Sequence, residues 1–93
     1  MGIHSAGEEQ TVQLRYSGMS AQLVAERAYH GMQLMVQNED GTVDLTLKTV
    51  IAPELKRFVL GSGSEVDILG PVRLREELTE EARRMVKRWE GRR

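Results

Sequence analysis

The strongest constraint on the fold is a strict alternation of apolar and polar residues over residues 42–48. Val43, Leu45 and Leu47 lie on one face of this segment, and polar side chains lie on the other. A period of two residues is typical of a strand with one buried face. The preceding sequence NEDG, at residues 38–41, has the composition of a tight turn with positive φ. The pattern therefore predicts the second arm of an antiparallel hairpin.

Three other segments are also predicted to be strands. Residues 12–16 alternate in the same way, and residues 65–69 form the last strand. In the second strand, at residues 33–37, Leu34 and Val36 alternate with glutamines, so we expect both to face the core.

Two short helices are predicted between these strands. Ser17 or Ser20 can cap the first helix, which we expect to end at Gly31, and Pro53 suits the first turn of the second. The inner side of the first helix is predicted to contain Met19, Leu23, Val24 and Ala28. The inner side of the second is predicted to contain Leu55, Phe58 and Val59.

The sequence GSGS at residues 61–64 is of a kind that can hold phosphate. Phosphate loops connect a strand to a following helix, whereas this patch follows a helix and precedes a strand. We interpret it as a turn, in which Gly61 adopts a left-handed conformation and Gly63 helps the chain to reverse.

A long amphipathic helix is predicted after Pro71. The two earlier helices already cover one face of a small sheet, so this third helix must find another surface. It can fold back on its own domain, reach a second copy of the chain or lie exposed. We favour a two-fold contact between subunits, to which Leu78, Met85 and Trp89 contribute, because an apolar stripe of this length favours association. The whole stripe consists of Leu74, Leu78, Ala82, Met85, Val86 and Trp89.

The order β-α-β-β-α-β-α predicts an α+β fold of the ferredoxin-like type. We expect a four-stranded antiparallel sheet in the spatial order 4-1-3-2, with two helices on one face and an additional C-terminal helix. Residues 1–10 are expected to form a flexible tail or linker, residues 11–90 the domain, and residues 91–93 a basic tail.

The composition argues against several classes of function. The chain has no cysteine, which excludes disulfides, thiolate metal sites and cysteine nucleophiles. No apolar run approaches the roughly 18 residues needed to span a bilayer, and the first ten residues have no signal-peptide core. His4 and His30 are isolated and lack metal-ligand spacing. We therefore expect a cytoplasmic protein that is not an enzyme and has no catalytic residues, metal or cofactor.

Two cations on the polar faces of the predicted strands are candidates for binding an anion. Arg15 and Lys48 share the open face of the sheet in the predicted register. Exposed cations on a sheet are usually only solvated, so this pattern alone does not establish a site.

Three segments of the chain carry a family resemblance. They are TVQLRYSGMSAQLVAERAYHGMQL, DGTVDLTLKTV and FVLGSGSEVDILGPVRLREEL. They contain a V-x-L-R-[FY] strand, an E-R-x-x-H helix end formed by Glu26, Arg27 and His30, and an L-G-x-G-x-E-V-x-[IV]-L-x-P segment. Over roughly residues 11–90, the chain resembles the C-terminal extension, or WCX, domain of bacterial WYL-domain transcriptional regulators.

The resemblance implies a regulatory context. Such regulators usually carry a DNA-binding winged helix and a WYL domain before this extension, so the chain resembles a fragment of a longer protein. In the family, the WYL and WCX domains build the homodimer and sense a ligand, proposed to be single-stranded nucleic acid or a nucleotide. Arg27 and His30 are implied ligand contacts. The family commonly has a proline after the histidine, whereas Gly31 stands here, so the chain departs from the family pattern at this loop.

Two functional hypotheses remain open. The first is a ligand-sensing and dimerisation module of a WYL-type regulator, which the three motifs support. The second is an ACT-like module that binds a small metabolite at a subunit interface, which rests on analogy of fold alone.

Overall fold

The computed structural model of the protein describes residues 7–27 and 32–91. The chain forms an α+β domain whose element order, β-α-β-β-α-β-α, is compatible with the ferredoxin-like fold. The strands are β1 (Glu9–Tyr16), β2 (Met32–Gln37), β3 (Val43–Val50) and β4 (Val66–Gly70). The helices are α1 (Gly18–Ala25), α2 (Pro53–Leu60) and α3 (Val72–Glu90), and one turn of 3-10 helix (Gly63–Glu65) precedes β4.

The four strands form one antiparallel sheet in the order β2-β3-β1-β4. This is the predicted order 4-1-3-2 read from the opposite edge. Strand β1 pairs with β3 along its whole length, from Glu9 opposite Val50 to Tyr16 opposite Val43. The strand therefore begins two residues before Thr11, where we expected the domain to start.

The core lies on one face of this sheet. Strand β1 contributes three side chains that are fully buried, and the alternating apolar residues predicted for β3 are buried opposite them. Helices α1 and α2 each add two residues, so both pack on the same face, as predicted. The core consists of Val12, Leu14, Tyr16, Ala21, Val24, Val43, Leu45, Leu47, Leu55, Val59, Leu74 and Leu78.

The inner side predicted for helix α1 is correct only in part. Val24 is buried as predicted, together with Ala21, whereas Met19 and Leu23 are 66% and 48% exposed. The helix begins at Gly18, directly after β1, and this start directs Ala21 and Val24, three residues apart on one face, towards the sheet. The described part of the helix ends at Ala25, and the predicted residues 28 and 31 lie outside the described residues.

Strand β2 also presents the opposite face. Leu34 and Val36, predicted to be buried, are 57% and 41% exposed, while Met32 and Met35 pack against the core. The pairing with β3 is irregular between Met32 and Leu34. A bulge of one residue reverses the alternation of every residue that follows it, which explains the exchange of faces.

The first half of α3 packs on its own domain. Leu74 is fully buried and Leu78 is 4% exposed, both within the common core. The Arg75 side chain donates hydrogen bonds to the backbone oxygens of Ile68 and Leu69, which attaches the helix to β4. Leu78, which we predicted at a subunit interface, therefore belongs to the interior of its own subunit.

The turn after α2 has its left-handed glycine at a different position from the one predicted. Gly61 has a right-handed φ of −64°, whereas Gly63 has a φ of +59°. The chain keeps helical geometry through Gly61 and Ser62 before it reverses. The interpretation of the patch as a turn is confirmed, with Gly63 as the residue that needs glycine.

The carboxylate of Glu65, which is 45 residues from Ser20 in the sequence, caps helix α1. The Ser17 hydroxyl makes no capping hydrogen bond; instead the backbone N–H of Ser20 donates to Glu65 Oε1 at 2.9 Å. The Ser17 N–H also donates to the Glu65 backbone oxygen at 2.9 Å. Gly18 has a φ of +60° at this junction, and a Cβ there would overlap the Glu65 carboxylate. The approach to β4 thus holds the start of α1.

Replacement of Gly18 should therefore be more costly than replacement of another glycine with positive φ. Gly41 is the matched control, because its φ is +92° but a Cβ there would meet nothing. We expect Gly41→Ala to lower the free energy of unfolding by about 1 kcal/mol and Gly18→Ala to lower it by more, because the Glu65 side chain must also leave the start of α1. Urea denaturation measures both. Equal losses for the two variants would contradict the capping role of Glu65.

The same cap should make stability depend on pH. Hydrogen bonds from the Ser20 side chain and backbone, with a smaller one from the Met19 backbone, hold the pKa of Glu65 below its usual value. A lowered pKa stabilises the fold above the unfolded-state value of about 4.5, and this stability is lost as the pH falls through the folded-state value.

We therefore expect Glu65→Gln to reduce the free energy of unfolding at pH 7. The difference between variant and wild type should narrow as the pH falls below about 4.5, because protonation removes the same interaction from the wild type. Urea denaturation across this range gives the comparison. A constant difference at all pH values would show that the charge of Glu65 has no part in the cap.

Candidate functional site

The open face of the sheet carries the first pair of predicted ligand residues. Arg15 lies opposite Asp44, and its guanidinium donates two hydrogen bonds, from Nε to Oδ1 at 2.7 Å and from Nη2 to Oδ2 at 3.0 Å. Hydrogen bonding to Arg15 lowers the pKa of Asp44. The charge of Arg15 is therefore already matched by a bidentate carboxylate.

Arg15 and Lys48 share this face but do not converge. Lys48 lies opposite Thr11, four residues along β3 from Asp44, which corresponds to about 13 Å. The carboxylates of Asp40 and Asp67 also act electrostatically on Arg15, so its end of the sheet carries excess negative charge. The structure thus places the two cations on one surface without forming a common anion site.

Arg27 lies in a different place, beside a cleft between α1 and α2. The cleft has a volume of about 310 Å³ and is lined by a second arginine, Arg57, from the last turn of α2. Ser20 and Ser62 contribute hydroxyl groups, and Phe58 contributes an aromatic ring. The complete lining is Tyr16, Ser20, Leu23, Val24, Arg27, Arg57, Phe58, Gly61 and Ser62.

The charge of this arginine cleft is positive. Among the described residues its lining contains two arginines and no carboxylate, although the Glu65 carboxylate binds the backbone of Ser20, which is a lining residue. Within the part of the chain that the structure describes, neither Arg27 nor Arg57 forms an ion pair. The larger cleft between α2 and α3, which Arg57 also lines, differs because three cations there face three glutamates and Lys56 binds Glu77 at 2.8 Å. The arginine cleft is therefore the better place for an anion.

The remaining predicted ligand residue, His30, lies outside the described residues. Arg57, in contrast, was absent from the sequence prediction. It lies 30 positions after Arg27, and only the packing of α1 beside α2 brings the two residues to one cleft. One feature could have identified Arg57 from the sequence. It lies in the last turn of a predicted helix, on the side away from the core.

The second half of α3 carries the predicted interface residues that remain accessible. Trp89 is 63% exposed and Val86 is 49% exposed, while Met85 is half-buried. Beyond Leu78, the described structure buries no further residue of this helix. The charged residues of the same segment include Arg83 and Arg84, which pair with Glu80 and Glu81 one turn earlier.

The described residues form neither a metal-binding cluster nor a membrane-spanning helix. No group of three or more histidine, aspartate or glutamate residues there is arranged to hold a metal ion. No helix in residues 7–27 and 32–91 has the length and apolar character needed to cross a membrane.

Comparison with protein families identifies the domain. The WCX domain family matches residues 8–86, which is most of the chain, and the chain therefore belongs to this family. Membership confirms the resemblance carried by the three sequence motifs. It associates the chain with a WYL domain in a transcriptional regulator, as a C-terminal regulatory module. Comparison with curated proteins gives no significant match.

Proposed function

We propose that this WCX domain is a ligand-sensing and dimerisation module, and that the arginine cleft is its ligand site. The observation that carries the proposal is the placement of Arg27 and Arg57 on one cleft whose described lining residues include no carboxylate. Arg27 belongs to the helix-end motif of the family, so the motif and the cleft point to the same residue.

The chemistry of the cleft favours a ligand that bears phosphate. A guanidinium presents several N–H donors in a fixed plane, which suits the oxygens of a phosphate group. The hydroxyl group of Ser62 can add a neutral hydrogen bond. Phe58 is partly exposed and offers an apolar surface beside the cations. Bases can stack on such rings, so a nucleotide or a single-stranded nucleic acid fits both parts of the site.

The proposal is for binding rather than catalysis. The charged groups of the cleft are arginines, and a guanidinium keeps its proton at any physiological pH. A general base must accept a proton near neutral pH, which these groups do not do.

A second candidate is an ACT-like module for a small metabolite. Carboxylates bind arginine pairs with the same bidentate geometry as phosphates, so an amino acid would also satisfy Arg27 and Arg57. Phe58 favours the first candidate, because a partly exposed ring beside the cations can contact a base.

Dimerisation is assigned to the free half of α3, which consists of the residues 79–90 that follow the last buried residue of the helix. Trp89 and Val86 lie exposed on one side of a helix that leaves the core after Leu78. A second copy of the chain would cover this side, and the WYL domain of the same regulator would occupy another surface.

The ligand site is tested by neutral substitutions of single arginines. We expect Arg27→Gln and Arg57→Gln each to weaken binding of a fluorescent single-stranded oligonucleotide by about 10- to 100-fold, because each removes a charge-assisted hydrogen bond. Fluorescence anisotropy at fixed salt concentration measures the affinity. Lys48→Gln is the matched control and should have little effect, since Lys48 lies on the open sheet face. Equal losses for all three variants would indicate diffuse attraction to positive charge instead of a site.

The dimer assignment is tested by placing a charge on α3. We expect Trp89→Glu to shift the chain to the monomer in sedimentation equilibrium, since a buried carboxylate disfavours an apolar contact. Met19→Glu is the control, because Met19 is exposed to a similar extent, at 66%, on α1. A wild-type chain that remains monomeric at high micromolar concentration would refute the assignment.

A further inference from the structure

The free half of α3 has an unusual internal symmetry. At 100° per residue, Ala82, Met85, Val86 and Trp89 form one stripe along it. A shallow groove of about 370 Å³ runs beside this stripe and is lined partly by Ala82, Val86 and Glu90. One large side chain, Trp89, lies two turns from the smallest one, Ala82.

We infer that the stripe is the contact surface for the same helix of a second copy, arranged antiparallel. This inference rests on the proposed dimerisation and adds its geometry. The two-fold axis passes between Met85 and Val86, so that Trp89 of each chain packs over the partner's Ala82. Met85 then meets the partner's Val86, and the large and small residues alternate across the contact.

The charges beside the stripe support this register. Helical spacing places Arg83 and Glu90 on one flank of the stripe, and Glu81 and Arg88 on the other. In an antiparallel pair, each flank faces the same flank of the partner. Arg83 then lies near the partner's Glu90, and Glu81 lies near the partner's Arg88. Both flanks are therefore complementary to themselves, which is what a two-fold contact requires.

A parallel pair would lose these features. Trp89 would face the partner's Trp89, and Ala82 the partner's Ala82, which leaves one layer crowded and another underfilled. The helix dipoles would also lie side by side in the same direction, whereas an antiparallel pair opposes them.

The antiparallel arrangement leaves room for both domains. The partner's helix would end level with Glu81, beyond Leu78, which is the last residue of α3 that the domain buries. The remainder of the partner would lie past the other end of the helix pair. The contact covers about three helical turns, so it is small.

Disulfide formation between single cysteines distinguishes the arrangements, because the chain has no cysteine of its own. In the antiparallel register, residue 86 lies about 1.5 Å along the axis from its copy, whereas residue 82 lies about 10 Å from its copy. Disulfides need Cβ atoms about 4 Å apart. Val86→Cys should therefore convert largely to a disulfide-linked dimer under mild oxidation, and Ala82→Cys should not.

Glu39→Cys, in the exposed hairpin turn, measures the background from random collisions. Cross-linking of both Val86→Cys and Ala82→Cys above this background would indicate a parallel pair and overturn the inference. Failure of Val86→Cys to cross-link would also overturn it. Sedimentation of the same variants under reducing conditions separates failure of the antiparallel contact from failure of dimerisation. If Val86→Cys does not cross-link but sediments as a dimer, only this contact is refuted. If it sediments as a monomer, the proposed dimerisation is refuted as well.

Discussion

Burial of one face of β1 determines where every other element lies. Val12, Leu14 and Tyr16 are fully buried on a strand that pairs with β3 on one side and β4 on the other. Each such side chain contributes about 1.5–3 kcal/mol when it leaves water. Helix α1 follows this strand after one residue, and Glu65, which leads into the neighbouring β4, caps that helix. The central strand therefore fixes the start of α1 and the position of β4 together.

Both proposed functional surfaces follow from this arrangement. Helices α1 and α2 pack on the same face of the sheet, which places Arg27 and Arg57 on one cleft. Helix α3 begins after β4 at the sheet edge, and its core contacts end at Leu78. Its remaining turns carry Trp89 away from the apolar interior of the domain. The cleft and the free helix thus lie on elements that the core positions but does not cover.

The sequence was sufficient for the architecture because strand alternation and helix spacing are local signals. The inward face of β3 was predicted correctly for this reason, and the strand order was predicted from the order of the elements along the chain. Leu34 was misplaced because a bulge in the pairing with β3 reverses the faces of β2, and pairing irregularities leave no trace in the sequence of one strand. The role of Glu65 was missed because its contact with Ser20 spans 45 residues.

The candidate site was predictable only in part, because its two arginines come from distant segments of the chain. Arg27 was identified through a family motif, whereas Arg57 joins it only through the packing of two helices. For Arg15, the position was predicted from the sequence but the partner was not. Its position on the open face was predicted correctly, but its bidentate pairing with Asp44 depends on the register between β1 and β3.

The central claim is that the arginine cleft receives a phosphate-bearing ligand. Amide chemical shifts of the chain, followed during titration with a single-stranded oligonucleotide and separately with a panel of amino acids, test it most directly. We expect the amide shift changes caused by the oligonucleotide to cluster in residues 20–27 and 57–62, around the cleft. Shifts confined to the open sheet face near Lys48 would contradict the site. Shifts at the cleft from amino acids alone would contradict the ligand class and favour the ACT-like alternative.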